Sequence, residues 1–314
     1  MNKPWTKDST PLFSVLIANY NNGQYLEECL QSVFDQTYTN WEIIIVDDGS
    51  TDKISHKIYQ KYSNEDKIRV FKNKENKGCG YTKRRCVAEA TGELCGFLDP
   101  DDYLAINAID EMVKGHHELP NASLVYSTHF QFWEGDNDKK INEKVGQVKV
   151  GTTYLNNKTK VVSAFAAFKL EKYSLTPGIN SKLPRAVDQD LYYKLEEVGS
   201  LHYIDKPLYY YRRHPAGIST GPNMLKARKW HLWVIKDTYY RRKKNRFPLN
   251  ITKKEINDEY AKFHIFKAYE AMDKGQMAKV ALSVFSSLFY NRKHAFEKLK
   301  IIPIALVKWI GLKQ

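Results

Sequence analysis

Asp99-Pro100-Asp101-Asp102 places three carboxylates within four residues. So many negative charges on one turn repel one another and call for a cation. A divalent ion bridging two phosphates would supply it, because hard oxygen donors suit Mg2+ or Mn2+. The alternative is a cap for a helix starting near Ile106, a position that recruits Asp, although three acids exceed what a cap needs. Asp47-Asp48-Gly49-Ser50-Thr51-Asp52 is either a turn and cap or an acid that hydrogen-bonds a base or ribose. Gly78 and Gly80 precede a helix carrying Lys83, Arg84 and Arg85, which form a solvated basic face or neutralise phosphate. Asp188-Gln189-Asp190 opens a helix far downstream. The helix dipole favours acids there, and a general base fits the same place. Arg212-Arg213-His214 ends an aromatic strand as a solvated turn or a phosphate clamp.

These groups need a scaffold that brings them together. Phe13–Ala18 and Trp41–Val46 are continuous apolar runs, the second closed by Asp47 to Ser50. Between them Tyr25, Leu26, Cys29, Leu30 and Val33 recur at helical spacing. Helix, strand and helix follow at about Lys53–Tyr62, Ile68–Phe71 and Tyr81–Ala90, and Leu94–Leu98 is a strand that runs straight into Asp99. Alternating helices and fully apolar strands predict a parallel sheet covered on both faces. In such sheets the ligand lies beyond the carboxyl ends of the strands, where Asn19–Asn21, Asp47–Ser50 and Asp99–Asp102 all fall. Further on, the pattern predicts a helix over Ile106–His116, a strand over Ser123–Phe132 and an exposed charged loop over Glu134–Lys144. It then predicts a helix over Val187–Val198 and a strand or hairpin over Leu201–Tyr211.

The formal net charge of +13 is unevenly distributed. Gly221–Gln314 holds 21 Lys/Arg against 7 Asp/Glu, while the preceding residues hold 28 against 29. This predicts a near-neutral catalytic body over residues 1–220 and a basic, all-helical region over 221–314 that seeks an anionic surface. Phe296–Leu312 mixes apolar residues with Lys298, Lys300 and Lys308, which suits either an interfacial helix or packing within the protein. The cysteines, Cys29, Cys79, Cys86 and Cys95, have no zinc-like spacing and fit a reducing compartment. Met1 to Pro11 lacks the apolar core of a signal peptide, and no uninterrupted apolar stretch reaches 18 residues. The expected location is cytoplasmic, with peripheral attachment to the inner face of the cell membrane.

Taken in order, SVLIANYNNGQYLEECLQSVFDQTYTNWEIIIVDDGSTD, NKGCG, ATGELCGFLDPDD, VDQDL and YYYRRH resemble the inverting family 2 glycosyltransferases. The resemblance spans about Phe13 to Ser219 and rests on the combination of motifs. It implies an α/β GT-A (Rossmann-like) fold, a mixed, mainly parallel sheet flanked by helices. It also implies transfer of a sugar from a nucleotide diphosphate, expected to be a UDP-sugar, to an acceptor hydroxyl in surface polysaccharide or glycolipid synthesis. By this resemblance Ala18, Tyr20 and Asp48 line the nucleobase pocket, Asp99 approaches ribose or phosphate, and the basic residue facing the nucleotide is Lys83 or Arg84, with Arg85 as the alternative. Asp101 is the chief ligand of Mn2+ or Mg2+, joined by Asp102 and His214, while Arg212 or His214 closes over the diphosphate. Asp188 is the general base, although Val187 replaces the acid that usually precedes it and Asp190 is its rival. The implied partners are a nucleotide-sugar donor and a saccharide or lipid-linked acceptor.

Two other classes fit less of the chain. A polyanion- or nucleic-acid-binding protein would exploit Trp230, Trp233, Tyr239, Tyr240 and Phe247 among the tail's charges. A nucleotidyltransferase would carry a basic Gly-rich loop after its first strand, where Asn19–Gly23 has neither Lys nor Arg.

Overall fold

The computed structural model describes residues 10–136, 138–156, 161–217 and 223–311. The start of the Met1–Pro11 segment, the 220/221 boundary and the end of Phe296–Leu312 lie outside the described residues. The chain divides into two compact units, residues 1–217 and 218–314.

The first unit is built on β1 (Phe13–Asn19), β2 (Trp41–Asp47), β3 (Ile68–Lys72), β4 (Leu94–Phe97), β5 (Tyr103–Leu104), β6 (Ala122–Trp133), β7 (Lys140–Ile141), β8 (Ala166–Lys169) and β9 (Ser200–Arg213). Among the described residues the sheet order is β3-β2-β1-β4-β8-β6-β9-β5, with β7 pairing on β6. β1 pairs in parallel with β2 and β4, and β2 with β3. All seven residues of β2 are buried, as expected of a parallel strand covered on both faces. Beyond β4 the sheet becomes mixed. β8 runs antiparallel to β4 and β6, β9 runs parallel to β6, and β5 runs antiparallel to β9. The expectation of a mixed sheet holds, and its parallel part is the β3-β2-β1-β4 half together with β6–β9.

Seven further elements cover the sheet or connect its strands. They are α1 (Gly23–Phe34), α2 (Lys53–Lys61), α3 (Cys79–Glu89), α4 (Ala108–Glu118), a 3-10 turn at Tyr154–Asn156, α5 (Leu170–Ser174) and α6 (Val187–Glu196). α1 buries Tyr25, Leu26, Cys29, Leu30 and Val33, the helical stripe seen in the sequence. Leu26, Cys29, Leu30 and Val33 join Phe13, Val15, Ile17, Ile43, Ile45, Ile109 and Met112 in one core. Removing a fully buried side chain here, as in Leu26→Ala, costs about 2–5 kcal/mol. α2 starts where the Asp52 side chain accepts a hydrogen bond from Ser55 N at 2.7 Å. That cap packs against Gly23, where a Cβ would collide with Asp52 and with the Ser55 backbone.

One detail departs from expectation, and another decides between strand and hairpin. The charged Glu134–Lys144 segment is not wholly loop, because Lys140–Ile141 pairs with Phe130–Gln131. The Leu201–Tyr211 segment is one long strand whose Lys206–Pro207 bend is a bulge against Thr128.

The second unit consists of α7 (Met224–Asn245), α8 (Lys253–Asp273), α9 (Met277–Tyr290), α10 (Ala295–Leu299) and α11 (Ile301–Gly311). Thr252 and Glu255 form a reciprocal capping box at the start of α8. Ala268, Ala271, Val280, Val284, Ile301 and Ala305 make its core, so one side of α11 packs on α8 and α9. Leu282, Phe285 and Phe289 on α9, Phe296 on α10, and Ile304 and Val307 on α11 remain exposed. Among the described residues no helix is long and apolar enough to cross a membrane.

Candidate active site

The site lies at the carboxyl ends of β1, β2 and β4. Here Asn19 and Asp47 end their strands, and Asp99 follows β4 after one residue. Asn19 is buried, donating from Nδ2 to Ser55 Oγ at 3.0 Å and to the Tyr59 hydroxyl at 2.6 Å. Asp48 is also buried. Its carboxylate accepts from Asn73 Nδ2 at 2.7 Å and from the backbone N–H groups of Lys77 and Gly78 at 2.8 Å each. Asp48 therefore shapes the wall of the expected nucleobase pocket by holding the Asn73–Gly78 loop. Ala18 is partly exposed and Tyr20 is 45% exposed at the end of β1.

Two glycines shape the start of α3, Gly78 through its backbone conformation and Gly80 through close packing. Gly78 takes a positive φ of 90° at the helix start, and Gly80 donates its N–H to Leu183 O at 2.9 Å. A Cβ on Gly80 would strike the carbonyls of Asn180 and Leu183. That approach joins α3 to the loop before α6 and sets Lys83 against Asp188.

Lys83 Nζ lies 2.9 Å from Asp188 Oδ1 and 3.0 Å from Asp99 Oδ1. The Lys83 side chain is 5% exposed, whereas Asp99 and Asp188 are 43% and 41% exposed. Burial alone would lower the Lys83 pKa, but Asp188 and Asp99 outweigh it and hold the ammonium well above its ordinary value. Of the three basic residues on α3, Lys83 faces these carboxylates. Arg84 donates to Ile179 O at 2.7 Å, and Arg85 to Asn73 Oδ1 at 2.7 Å and Lys72 O at 2.8 Å. Arg84, expected on the nucleotide, has its guanidinium on the Pro177–Ile179 loop in this structure.

The acids after β4 have separate surroundings. Asp101 Oδ2 lies 2.9 Å from His214 Nε2, and this hydrogen bond raises the imidazole pKa. Asp102 is buried, and both its oxygens are engaged, by the Tyr209 hydroxyl at 2.7 Å and the Arg212 N–H at 2.7 Å. Burial and the charges of Asp101 and Asp99 push its pKa well above the carboxylate range. Asp102, expected among the metal ligands, here ties the loop to β9 through both of its oxygens. Arg212, expected with His214 as a candidate to close over the diphosphate, is anchored on the same loop. Its guanidinium donates to Asp101 O at 2.9 Å, pairs with Glu28 and lies 5.1 Å from the Tyr25 and Phe132 rings. It clamps the loop's own backbone.

Among the described residues no group of three or more His, Cys, Asp or Glu converges as a metal cage. The Asp101–His214 pair still fits an ion of the Mg2+ or Mn2+ kind. Such ions keep water and substrate phosphates as ligands and take only one or two from the protein.

Asp190 is buried and forms an ion pair with Lys194 at 2.5 Å, so it is not presented as a base. Sequence reasoning passed over Tyr209, Tyr25, Asn73 and Glu28. Tyr209 had a visible signal, because alternation along Leu208–Arg213 turns every second residue to one face.

The sequence model of glycosyl transferase family 2 matches residues 14–174, and the chain belongs to that family. It is 28% identical over 291 residues to a chondroitin synthase of Pasteurella multocida, covering 88% of this chain and 29% of the relative. The chain thus spans under a third of the length of the chondroitin and hyaluronan synthases it matches. S. aureus TarS, solved in complex with UDP, superposes with a TM-score of 0.60 at 17% identity, covering 92% of this chain and 91% of that one. A Pyrobaculum calidifontis mannosyltransferase in complex with GDP-Man and Mn2+ gives a TM-score of 0.57 at 15% identity, covering 99% and 92%. The GT-A fold implied by the motifs is the fold of this chain.

Proposed function

We propose that this chain transfers a sugar from a nucleotide diphosphate, taken to be a UDP-sugar, to an acceptor hydroxyl with inversion at the anomeric carbon. The product belongs to a surface polysaccharide or glycolipid. The observation that carries this reading is the Lys83 bridge between Asp99 and Asp188. It links the strand-end acids to a half-exposed carboxylate on α6.

In this reading Asp188 accepts the proton of the acceptor hydroxyl, whose oxygen then bonds the anomeric carbon. The bond from that carbon to the diphosphate oxygen breaks, and its electron pair leaves with the nucleotide. Asp101 and His214 would hold the divalent ion, which when bound supplies positive charge against the departing diphosphate. Lys83 fixes the position of Asp188 relative to Asp99. The Arg212 clamp and the Asp102 buttress hold the loop that carries Asp101. This division of labour follows the general need for preorganised charge at a leaving group. The test is a screen of nucleotide sugars for release of nucleoside diphosphate with and without Mn2+.

The second unit supports a further part of the reading, attachment to an anionic membrane surface that presents a lipid-linked acceptor. Its excess of positive charge and the exposed Leu282, Phe285, Phe289, Phe296 and Val307 match the two requirements of an interfacial anchor, apolar burial and attraction to acidic lipid.

A further inference from the structure

Trp133 and Arg213 stand opposite each other at the ends of β6 and β9, in register across the parallel pair. The guanidinium carbon of Arg213 lies 5.5 Å from the centre of the Trp133 ring, and Trp133 is 49% exposed. Strand alternation puts Arg213 on the same face as Tyr211. Tyr209, two residues before Tyr211 and on the same face, donates its hydroxyl to Asp102 Oδ2 at 2.7 Å, so this face looks toward the site.

The cations around the site differ in one respect. Lys83 pairs with Asp99 and Asp188, Arg212 with Glu28, and His214 with Asp101. Arg213 has no anionic partner among the described residues, and its Nε is buried without a hydrogen-bond acceptor. The acid that follows Trp133 in the chain does not fill the gap. Glu134 donates its backbone N–H to Arg213 O at 2.9 Å, but its carboxylate accepts from the Tyr25 hydroxyl at 2.8 Å. A buried donor left unsatisfied is costly, and a guanidinium favours carboxylate or phosphate oxygens over water. An indole beside it offers a flat apolar platform of the size of a sugar ring.

We propose that Trp133 and Arg213 form an acceptor subsite for an anionic sugar ring. Trp133 stacks against the ring's C–H face and Arg213 binds its carboxylate or phosphate. The inference rests on the glycosyltransferase reading, because it takes the occupant to be the acceptor.

The experiment is calorimetric titration of the full chain with three tetrasaccharides: one ending in glucuronate, one ending in glucose 6-phosphate, and a neutral glucose oligomer. UDP is titrated in parallel. Wild type should bind one or both anionic probes about tenfold more tightly than the neutral one, and the probe preferred identifies the anion. Arg213→Gln should abolish the preference, Arg213→Lys should retain part of it, and Trp133→Ala should weaken all saccharide binding about tenfold. Equal binding of charged and neutral probes by wild type would overturn the proposal, as would an undiminished preference in Arg213→Gln or unchanged affinities in Trp133→Ala. Failure to bind UDP would count against the sugar-nucleotide reading and leave the saccharide result standing. UDP binding without an anionic preference would sink the subsite alone.

Discussion

Lys83 and Asp188 are 105 residues apart in sequence and 2.9 Å apart in space. The contact fixes a half-exposed carboxylate at the start of α6 beside the strand-end acids. The other acid of that turn, Asp190, is buried against Lys194. The two therefore answer different questions. Asp188→Asn should slow transfer about a hundredfold to ten-thousandfold with donor affinity retained. Asp190→Asn should instead lower stability by about 2–4 kcal/mol, because it leaves the Lys194 charge buried and unpaired. Transfer rate, donor affinity and denaturant midpoint measured for both variants decide this. A folded Asp190→Asn protein that has lost turnover, beside an active Asp188→Asn, would reverse the assignment.

Asp101 and Asp102 are adjacent yet should respond differently to metal. Asp101→Ala should raise the Mn2+ concentration needed for half-maximal turnover at least tenfold. Tyr209→Phe, which removes one hydrogen bond to Asp102, should leave that concentration unchanged and cost about 1–2 kcal/mol of stability. A shift in metal requirement in Tyr209→Phe as large as that in Asp101→Ala would return Asp102 to the ligand set.

The strand ends that carry the site were readable because continuous apolar runs stop at Asn19, Asp47 and Asp99. The helical stripe of α1 was equally plain. The Asp190–Lys194 pair was also within reach, since i,i+4 spacing joins acid and base on one helix face. What the sequence could not display were contacts made by distant segments. The Lys83–Asp188 bridge and the Tyr209–Asp102 bond depend on tertiary placement, and no local pattern marks them. β8 was missed for another reason. Ala166–Lys169 is only four residues, too short to show a period.

Stability of the first unit should fall as pH drops below about 6.5. His116 is fully buried on α4, its Nε2 within 3.1 Å of Ala167 O, and burial pushes its pKa from 6.5 down to about 3. His129 is lowered to about 4 for the same reason. The unfolded chain takes up these protons near pH 6.5 while the folded chain does not, so acid favours unfolding. Each such histidine contributes about 1.4 kcal/mol of loss between pH 7.5 and 5.5. Denaturant unfolding of His116→Gln should show a correspondingly flatter dependence. Parallel pH curves for variant and wild type would contradict the account.

Membrane attachment of the second unit predicts co-sedimentation with vesicles containing acidic lipid, fading as salt rises. Phe289→Glu, placed on the exposed face of α9, should reduce it severalfold without unfolding the unit. Equal binding to neutral vesicles would remove the electrostatic component, and unchanged binding of Phe289→Glu would remove the apolar one.

A site that transfers sugar from a nucleotide sugar releases a nucleoside diphosphate. Nucleoside diphosphate release should therefore be measured with a panel of UDP- and GDP-sugars in Mn2+, in EDTA, and for Asp101→Ala. At least one donor, expected among the UDP-sugars, should turn over in Mn2+, with a loss of roughly a thousandfold in EDTA and in the variant. Full activity in EDTA and in Asp101→Ala would contradict the metal's part. Turnover of no donor in the panel by the folded wild-type chain would contradict the account itself.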